Sequence, residues 1–304
     1  MDDCLKDVIR HNPWSEMAKE VEEHLESNSQ RQRRFVLPQD DRIISEFEND
    51  YTGSASELLL NLPPQPFIGN PESKIWILQF NPGYSKSIDD YDYLGVDYLS
   101  PKDRHKNEAI FSTSTLSDRL RLISRQYRFD NAGFYALDEK FHTFKYGLRK
   151  GRGLYLWYMN VLFTNAQSLF HFVPKGKRKE FADKNIFVLE FFPYHSKGFG
   201  GVNFFPFLPS FDFWRILVQY ALTHEKILIC HGLSSGKSLT TAAVRSLKGY
   251  DEAKKEGWIY KVSRPGNGPS RLSLHKKCVV SMAPGKCRLQ EFCEDFSVNE
   301  GIRS

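Results

Sequence analysis

Four short apolar runs, each ending abruptly at a turn, constrain the fold of this chain more than any other feature. They cover residues 74–80 (KIWILQF), 186–191 (IFVLEF), 226–230 (KILIC) and 278–282 (CVVSM). Nearly continuous apolar runs of this length are typical of strands that are covered on both faces, as in parallel sheets. Each run is therefore predicted to be a buried strand.

Helical patterns lie between these runs. Residues 115–127 and 154–170 show helical spacing, Ser210 is a candidate N-cap for a helix over 211–224, and another helix should open near Gly236 and run through Leu247. Strands separated by helices predict parallel pairing with right-handed crossovers. We therefore expect an α/β fold, a three-layer sandwich with a four-stranded parallel sheet.

The remaining segments define a domain plan. Residues 1–65 form an N-terminal helical extension, in which Trp14, Met17, Val21 and Leu25 make one apolar stripe that should pack on the domain surface. Residues 66–296 form the α/β domain, which begins with an extended, Pro- and Gly-rich segment and contains a long insertion at 85–180. Residues 297–304 are a tail.

Composition limits the partners only loosely. The net charge is +5 and the pI is near 8.8, which permits a nucleic-acid partner and fits a slightly basic enzyme equally well. The five cysteines are odd in number and form no CxxC pair, so we expect no metal or cofactor and a reducing, cytoplasmic location. The polar N-terminus and the lack of a long apolar run predict neither a signal peptide nor a membrane span.

Each apolar run leads into a turn with a distinctive sequence. The turns are NPG at residues 81–83, FPYHS at 192–196, HGLSSG at 231–236 and APG at 283–285. Ligands of open parallel sheets bind beyond the carboxyl ends of the strands. All four turns are therefore expected to surround one cleft.

The first turn resembles a known motif. Residues 79–85 (QFNPGYS) place Asn-Pro-Gly directly after a buried strand, similar to the first motif of the mismatch-specific thymine/uracil branch of the uracil-DNA glycosylase superfamily. In that branch the Asn holds the attacking water, so the resemblance assigns this role to Asn81. The upstream sequence 69–71 (GNP) and the order of the four strand–turn units also suit the superfamily, over most of residues 66–290. The resemblance implies a monofunctional DNA glycosylase that flips out a base and hydrolyses its N-glycosidic bond.

Two positions depart from the superfamily pattern. Glu190 stands where the best-known family has an Asn that reads uracil, and Ala283 stands where it has a fourth-motif His. A carboxylate accepts from the N4 amino group of cytosine, and a protonated carboxyl also donates to cytosine N3. We therefore expect a modified cytosine as the target, as in superfamily members that act in antiphage defence. The alternative for Glu190 is a strand-end residue paired with a basic neighbour.

Further site residues follow from their positions beside strand ends. His195 and His231 are candidate catalytic donors to the leaving base, with a purely structural role as the alternative for each. Phe80, Tyr84 and Phe192 are candidates for stacking on the flipped base, with core packing as the alternative. The candidate DNA-binding residues are Ser234, Ser235, Lys237, Pro284, Lys286 and Arg288.

Two other functions compete with the glycosylase. A non-catalytic nucleic-acid-binding module on the same fold would explain the missing fourth-motif His. Residues 232–238 (GLSSGKS) are similar to a phosphate-binding P-loop, but only three residues separate the glycines and the motif requires four. A P-loop nucleotide hydrolase is therefore the weaker alternative, and Lys237 with the loop amides would more simply bind one DNA phosphate.

Overall fold

A six-stranded sheet forms the centre of the protein. The computed structural model describes residues 2–26, 34–50, 58–80, 116–130, 133–138, 158–164, 167–196, 205–231, 233, 239–262, 274, 278–299 and 301. The strands are β1 (Phe67–Gly69), β2 (Ile75–Gln79), β3 (Ile186–Glu190), β4 (Ile227–Cys230), β5 (Ile259–Val262) and β6 (Val279–Ser281). Their order across the sheet is β1-β3-β2-β4-β5-β6.

The pairing directions make the sheet mostly parallel. β2 pairs in parallel with β3 and β4, and β4 pairs in parallel with β5. The two edge strands, β1 and β6, run antiparallel to their neighbours. All residues of β2, β3 and β4 are buried, so the prediction of parallel strands from the first three apolar runs is confirmed.

The fourth apolar run was misassigned. It forms β6, an antiparallel edge strand whose Val280 is 40% exposed, and the fourth parallel strand is β5. β5 was missed because its sequence, IYKV, contains Lys261 and only its first two residues are buried. The hydropathy of a strand indicates how much of its surface is buried. It does not indicate whether the strand runs parallel or antiparallel to its neighbour. The sheet therefore has two strands more than predicted: β1 at one edge, and β5 between β4 and β6.

Helices cover the sheet and confirm the α/β class. They are α1 (Asp3–Arg10), α2 (Trp14–Glu26), α3 (Pro38–Asp50), α4 (Leu116–Tyr127), α5 (Arg178–Asn185), α6 (Ser210–Thr223), α7 (Leu239–Arg245), α8 (Tyr250–Lys255) and α9 (Arg288–Asn299). α4, α6 and α7 confirm predicted helices. The helix predicted over 154–170 is shorter: Asn160–Thr164 form π-helical turns, and residues 167–170 are not helical. No helix in the described ranges is long and apolar enough to cross a membrane.

The N-terminal helices share the core of the sheet. Trp14, Met17 and Val21 on α2 are buried in one continuous apolar cluster with the strands. α2 packs along α4, and the Arg128 guanidinium, just beyond α4, pairs with the Glu22 carboxylate in two hydrogen bonds. The prediction that the apolar stripe packs against the domain is confirmed for these three residues, and the Leu25 side chain lies outside the described part of the structure.

The N-terminus of α6 is capped by a residue far away in the sequence. Ser210 does not cap the helix itself, and its hydroxyl donates to the Asp40 carboxylate at 2.5 Å. The same carboxylate accepts the Ser210 backbone N–H at 3.0 Å and the Tyr194 hydroxyl at 2.8 Å. Asp40 is completely buried in α3, so the predicted N-cap serine is a donor to the residue that caps α6.

Gly69 is the last residue of β1, and we expect that any side chain at this position would destabilise the fold. Its φ is +100°, and a Cβ there would lie 2.3 Å from the Ile186 carbonyl oxygen. The Gln126 amide holds both its backbone N–H and its carbonyl. Gly69→Ala should lower the free energy of unfolding by about 3 kcal/mol, because it combines a strained φ with a backbone clash.

Denaturant unfolding of Gly69→Ala checks this, with Gly176→Ala as the control. A Cβ at Gly176 would meet no atom within 4 Å. Equal stability of the two variants would contradict the expectation.

Candidate functional site

The carboxyl ends of β2, β3 and β4 meet at one edge of the sheet. The chain passes from β2 to β3 on one side and then crosses to β4 on the other side of β2. Such a reversal of strand order is a topological switch point, where ligands of open α/β sheets bind. The first three predicted turns begin at this edge.

Three polar side chains form a row across these strand ends. Gln79 lies opposite Glu190 in the register of β2 and β3. The register of β2 and β4 pairs Leu78 with Cys230, and the His231 N–H extends that ladder by donating to the Leu78 carbonyl at 2.9 Å. Gln79 and His231 are therefore also neighbours. Because residues in register on parallel strands point to the same face, and strands lie about 4.8 Å apart, Glu190, Gln79 and His231 form one polar row.

The polar row is buried and incompletely hydrogen-bonded. Gln79 is 5% exposed, and Glu190 and His231 are each 3% exposed. In the described part of the chain, Gln79 Nε2, Glu190 Oε2 and His231 Nε2 have no hydrogen-bond partner. Each such buried atom costs about 1–3 kcal/mol, so three of them side by side indicate a site that a ligand completes.

Burial also sets the charge of the row. It raises the pKa of Glu190 well above its ordinary value and lowers the pKa of His231 to about 4. Tyr135 and Tyr158 lie near enough to Glu190 for a carboxylate there to raise their pKa values further, after the larger effect of their own burial. Both shifts favour the uncharged forms of these side chains, so the row offers hydrogen-bond donors and acceptors to a neutral ligand.

The two candidate histidines have different surroundings. His231 is a member of the polar row. His195 Nε2 donates to the Pro63 carbonyl at 3.1 Å, and the Leu59 N–H donates to the His195 carbonyl at 2.9 Å. These contacts tie the segment after β3 to the chain before β1, in agreement with the structural alternative for His195.

Glu190 does not have the basic partner that its alternative interpretation requires. No Lys or Arg in the described ranges forms an ion pair with it, and desolvation is the cause of its pKa shift. Its backbone N–H donates to the Pro66 carbonyl at 2.9 Å, which fixes the end of β3. Among the described residues, the carboxyl group therefore has no neutralising cation.

Two of the three candidate stacking residues, Phe80 and Phe192, lie in the described part of the chain. Phe192 is completely buried, with its ring 5.5 Å from that of Tyr194, which is the arrangement of a core residue. Phe80 is half-buried beside the row, and its ring lies 6.4 Å from that of Phe191. Five further candidates lie outside the described residues: Asn81, Tyr84, Ser234, Ser235 and Lys237.

The expectation that all four turns surround one cleft is wrong. Because β6 runs antiparallel, the turn that follows it lies at the opposite edge, where the parallel strands begin. There the Lys286 ammonium pairs with the Glu256 carboxylate at 2.8 Å, and the Arg288 guanidinium lies 5.0 Å from the ring of Trp258. Pro284, exposed beside them, is likewise distant in topology from the polar row.

Gln79 is the site residue that the sequence reasoning missed. The predicted site residues were taken mainly from the turns, whereas Gln79 is the last residue of a buried strand. The available signal was a single polar side chain within an otherwise apolar run, IWILQF. Such a residue requires a hydrogen-bond partner, and at a strand end that partner can be a ligand.

No group of three His, Cys, Asp or Glu side chains among the described residues is arranged to hold a metal ion. The polar row is thus an arrangement of hydrogen-bonding groups at a topological switch point. Comparison of the chain with protein-family models, with curated proteins and with solved structures finds no match in any of the three.

Proposed function

We propose that the protein is a DNA glycosylase that extrudes a base, binds it at the polar row and hydrolyses its N-glycosidic bond. The observation that supports this most directly is the row itself. In the described part of the chain, Glu190, Gln79 and His231 are buried and short of hydrogen-bond partners, and burial favours the uncharged forms of Glu190 and His231. A nucleobase is neutral and planar and carries alternating donors and acceptors along one edge, so it matches these requirements.

The protonation of Glu190 favours a cytosine-type base. A protonated carboxyl can donate its O–H to cytosine N3 and accept from the N4 amino group with its other oxygen. The Gln79 amide, directly opposite in the register, can donate to the O2 carbonyl of the same base. As the sequence departs from the uracil-reading Asn at this position, we propose a modified cytosine as the target.

The same strand end would supply the water. Gln79 ends β2, and Asn81, to which the family resemblance assigns the attacking water, follows two residues later. An amide orients water without deprotonating it. This is sufficient when the sugar develops oxocarbenium character, since the cation is attacked readily once the base departs.

A base-excision assay tests the proposal. Duplex and single-stranded oligonucleotides would carry uracil, thymine mismatches, or plain, hydroxymethylated or glucosylated cytosine, and abasic sites would be scored by alkali cleavage. We expect cleavage at a modified cytosine and a loss of about a hundredfold in rate for Asn81→Ala, because the water is no longer positioned.

Glu256→Gln is the matched control for this assay. Its half-exposed ion pair with Lys286 lies at the opposite edge of the sheet, so its rate should equal that of the wild type. Absence of abasic sites with every substrate would overturn the proposal.

A non-catalytic base-binding module is the second candidate, and one observation favours it. The row offers no strong general base, since burial favours the protonated form of Glu190 and lowers the pKa of His231 to about 4. This candidate predicts binding of oligonucleotides with the same base preference and no abasic product. The excision assay, run beside a binding titration on the same substrates, separates the two.

A further inference from the structure

The three members of the polar row differ in their ability to give up a proton. The Gln79 amide can donate a hydrogen bond but has no proton to transfer. Burial lowers the pKa of His231 to about 4, so its ring carries no transferable imidazolium proton at neutral pH. Glu190 is the remaining member, and its burial raises its pKa and so favours the protonated carboxyl group.

The position of Glu190 in the fold suits contact with a bound base. It ends β3 directly opposite Gln79, its backbone is fixed to Pro66, and its Oε2 is buried without a hydrogen-bond partner in the described part of the chain. The titratable groups around it are Tyr135 and Tyr158, with His231 two strands away. Both tyrosines keep their protons at neutral pH because burial raises their pKa values, so neither ring holds a charge against the carboxyl group.

We propose that Glu190 is the general acid that protonates the departing base, a role that rests on the proposed glycosylase function. As the bond between C1′ of the sugar and the base nitrogen breaks, its electron pair stays with the base. The proton of Glu190 passes to that base at N3, the atom to which the carboxyl group donates in the bound state. Water then adds to C1′ and returns one proton to the Glu190 carboxylate, so the buried charge exists only within the turnover. The products are the neutral base and an abasic sugar, with no change in oxidation state.

This role replaces the one that sequence reasoning gave to the histidines. Proton donation by a positioned side chain contributes typically about 10²–10⁴-fold to a rate. A carboxylic acid is a far stronger acid than a neutral imidazole, so Glu190 takes this role within the row.

Glu190→Gln is the decisive variant, because the amide keeps a donor and an acceptor in the same place and cannot transfer a proton. We expect kcat to fall about a hundredfold or more while KM changes by less than about threefold. The wild-type kcat should also decline as the pH rises through the Glu190 titration, and that decline should be missing in the variant. Glu256→Gln again serves as the control with unchanged kinetics.

Leaving-group ability provides a second readout that a structural role would not affect. An electron-withdrawing fluorine at C5 of cytosine stabilises the departing anion, and a methyl group does not. The rate loss caused by Glu190→Gln should therefore be smaller for 5-fluorocytosine than for 5-methylcytosine.

Three outcomes overturn the inference. The first is an unchanged kcat in Glu190→Gln. The second is a raised KM at constant kcat, which would show that Glu190 contributes only to substrate binding. An equal rate loss for both bases would show that no proton transfer accompanies bond cleavage. If the wild type cleaves no base at all, the proposed function fails together with this inference, and that result differs from an active wild type with an equally active variant.

Discussion

Glu190→Gln is expected to stabilise the folded protein at neutral pH, and to do so increasingly as the pH rises. Burial raises the pKa of Glu190 well above its ordinary value of 4.5, so between these two pKa values the folded state keeps a proton that the unfolded state has released. In that window the wild type loses about 1.4 kcal/mol of stability for each pH unit of increase. Glutamine does not titrate, so the variant avoids this loss.

The direction in which stability changes with pH distinguishes Glu190 from a carboxylate with an ordinary pKa. At a pH below the ordinary pKa, both states hold the proton and the variant should resemble the wild type. Urea unfolding of the two proteins across the range from about pH 4.5 to about pH 8 measures the difference. A difference that does not grow with pH would show that Glu190 ionises normally in the folded protein.

The pKa of the surface residue Glu256 is shifted in the opposite direction, so the variant Glu256→Gln serves as the control. The hydrogen bond from Lys286 lowers the pKa of Glu256, so that its ionised form is favoured in the folded state. Replacing it should leave stability nearly unchanged, with any effect a small loss at neutral pH, because both groups are largely solvated. This control shows whether the gain in Glu190→Gln depends on burial.

Asp40→Ala is expected to be strongly destabilising, by about 3 to 5 kcal/mol. The completely buried carboxyl group accepts hydrogen bonds from the Tyr194 hydroxyl, the Ser210 hydroxyl and the Ser210 backbone N–H. Alanine would leave these donors without their acceptor and would remove the cap of α6. Asp40→Asn, which keeps one acceptor oxygen, should lose less stability than Asp40→Ala.

Asp41→Ala is the matched control on the same helix. The Asp41 side chain is 50% exposed and pairs with Arg34 at the surface, where an ion pair is worth about 0–1 kcal/mol. Thermal or urea unfolding of the three variants should therefore rank Asp40→Ala as the least stable and Asp41→Ala close to the wild type. A loss in Asp40→Ala no larger than in Asp41→Ala would contradict the capping role.

The candidate site could be predicted only in part. Glu190 and His231 were recognised individually, because each follows a buried run at a strand end. Their relation to each other and to Gln79 depends on the register between strands more than 100 residues apart in sequence. The raised pKa of Glu190 likewise depends on burial by distant residues, and it underlies the proposal that Glu190 is the catalytic donor in place of the histidines that the sequence suggested.

The amino-acid sequence by itself determined β2, β3 and β4 and the helices α2 and α6. A strand that is covered on both faces must be apolar along its length, and a helix against a core must repeat its apolar residues every three or four positions. Both requirements are local and can be read along the chain. Only the tertiary structure decided that β6 runs antiparallel, that β5 is the fourth parallel strand and that Asp40 caps α6. These features depend on which distant segments come into contact, because an edge strand and a buried carboxyl group obtain their partners from elsewhere in the chain.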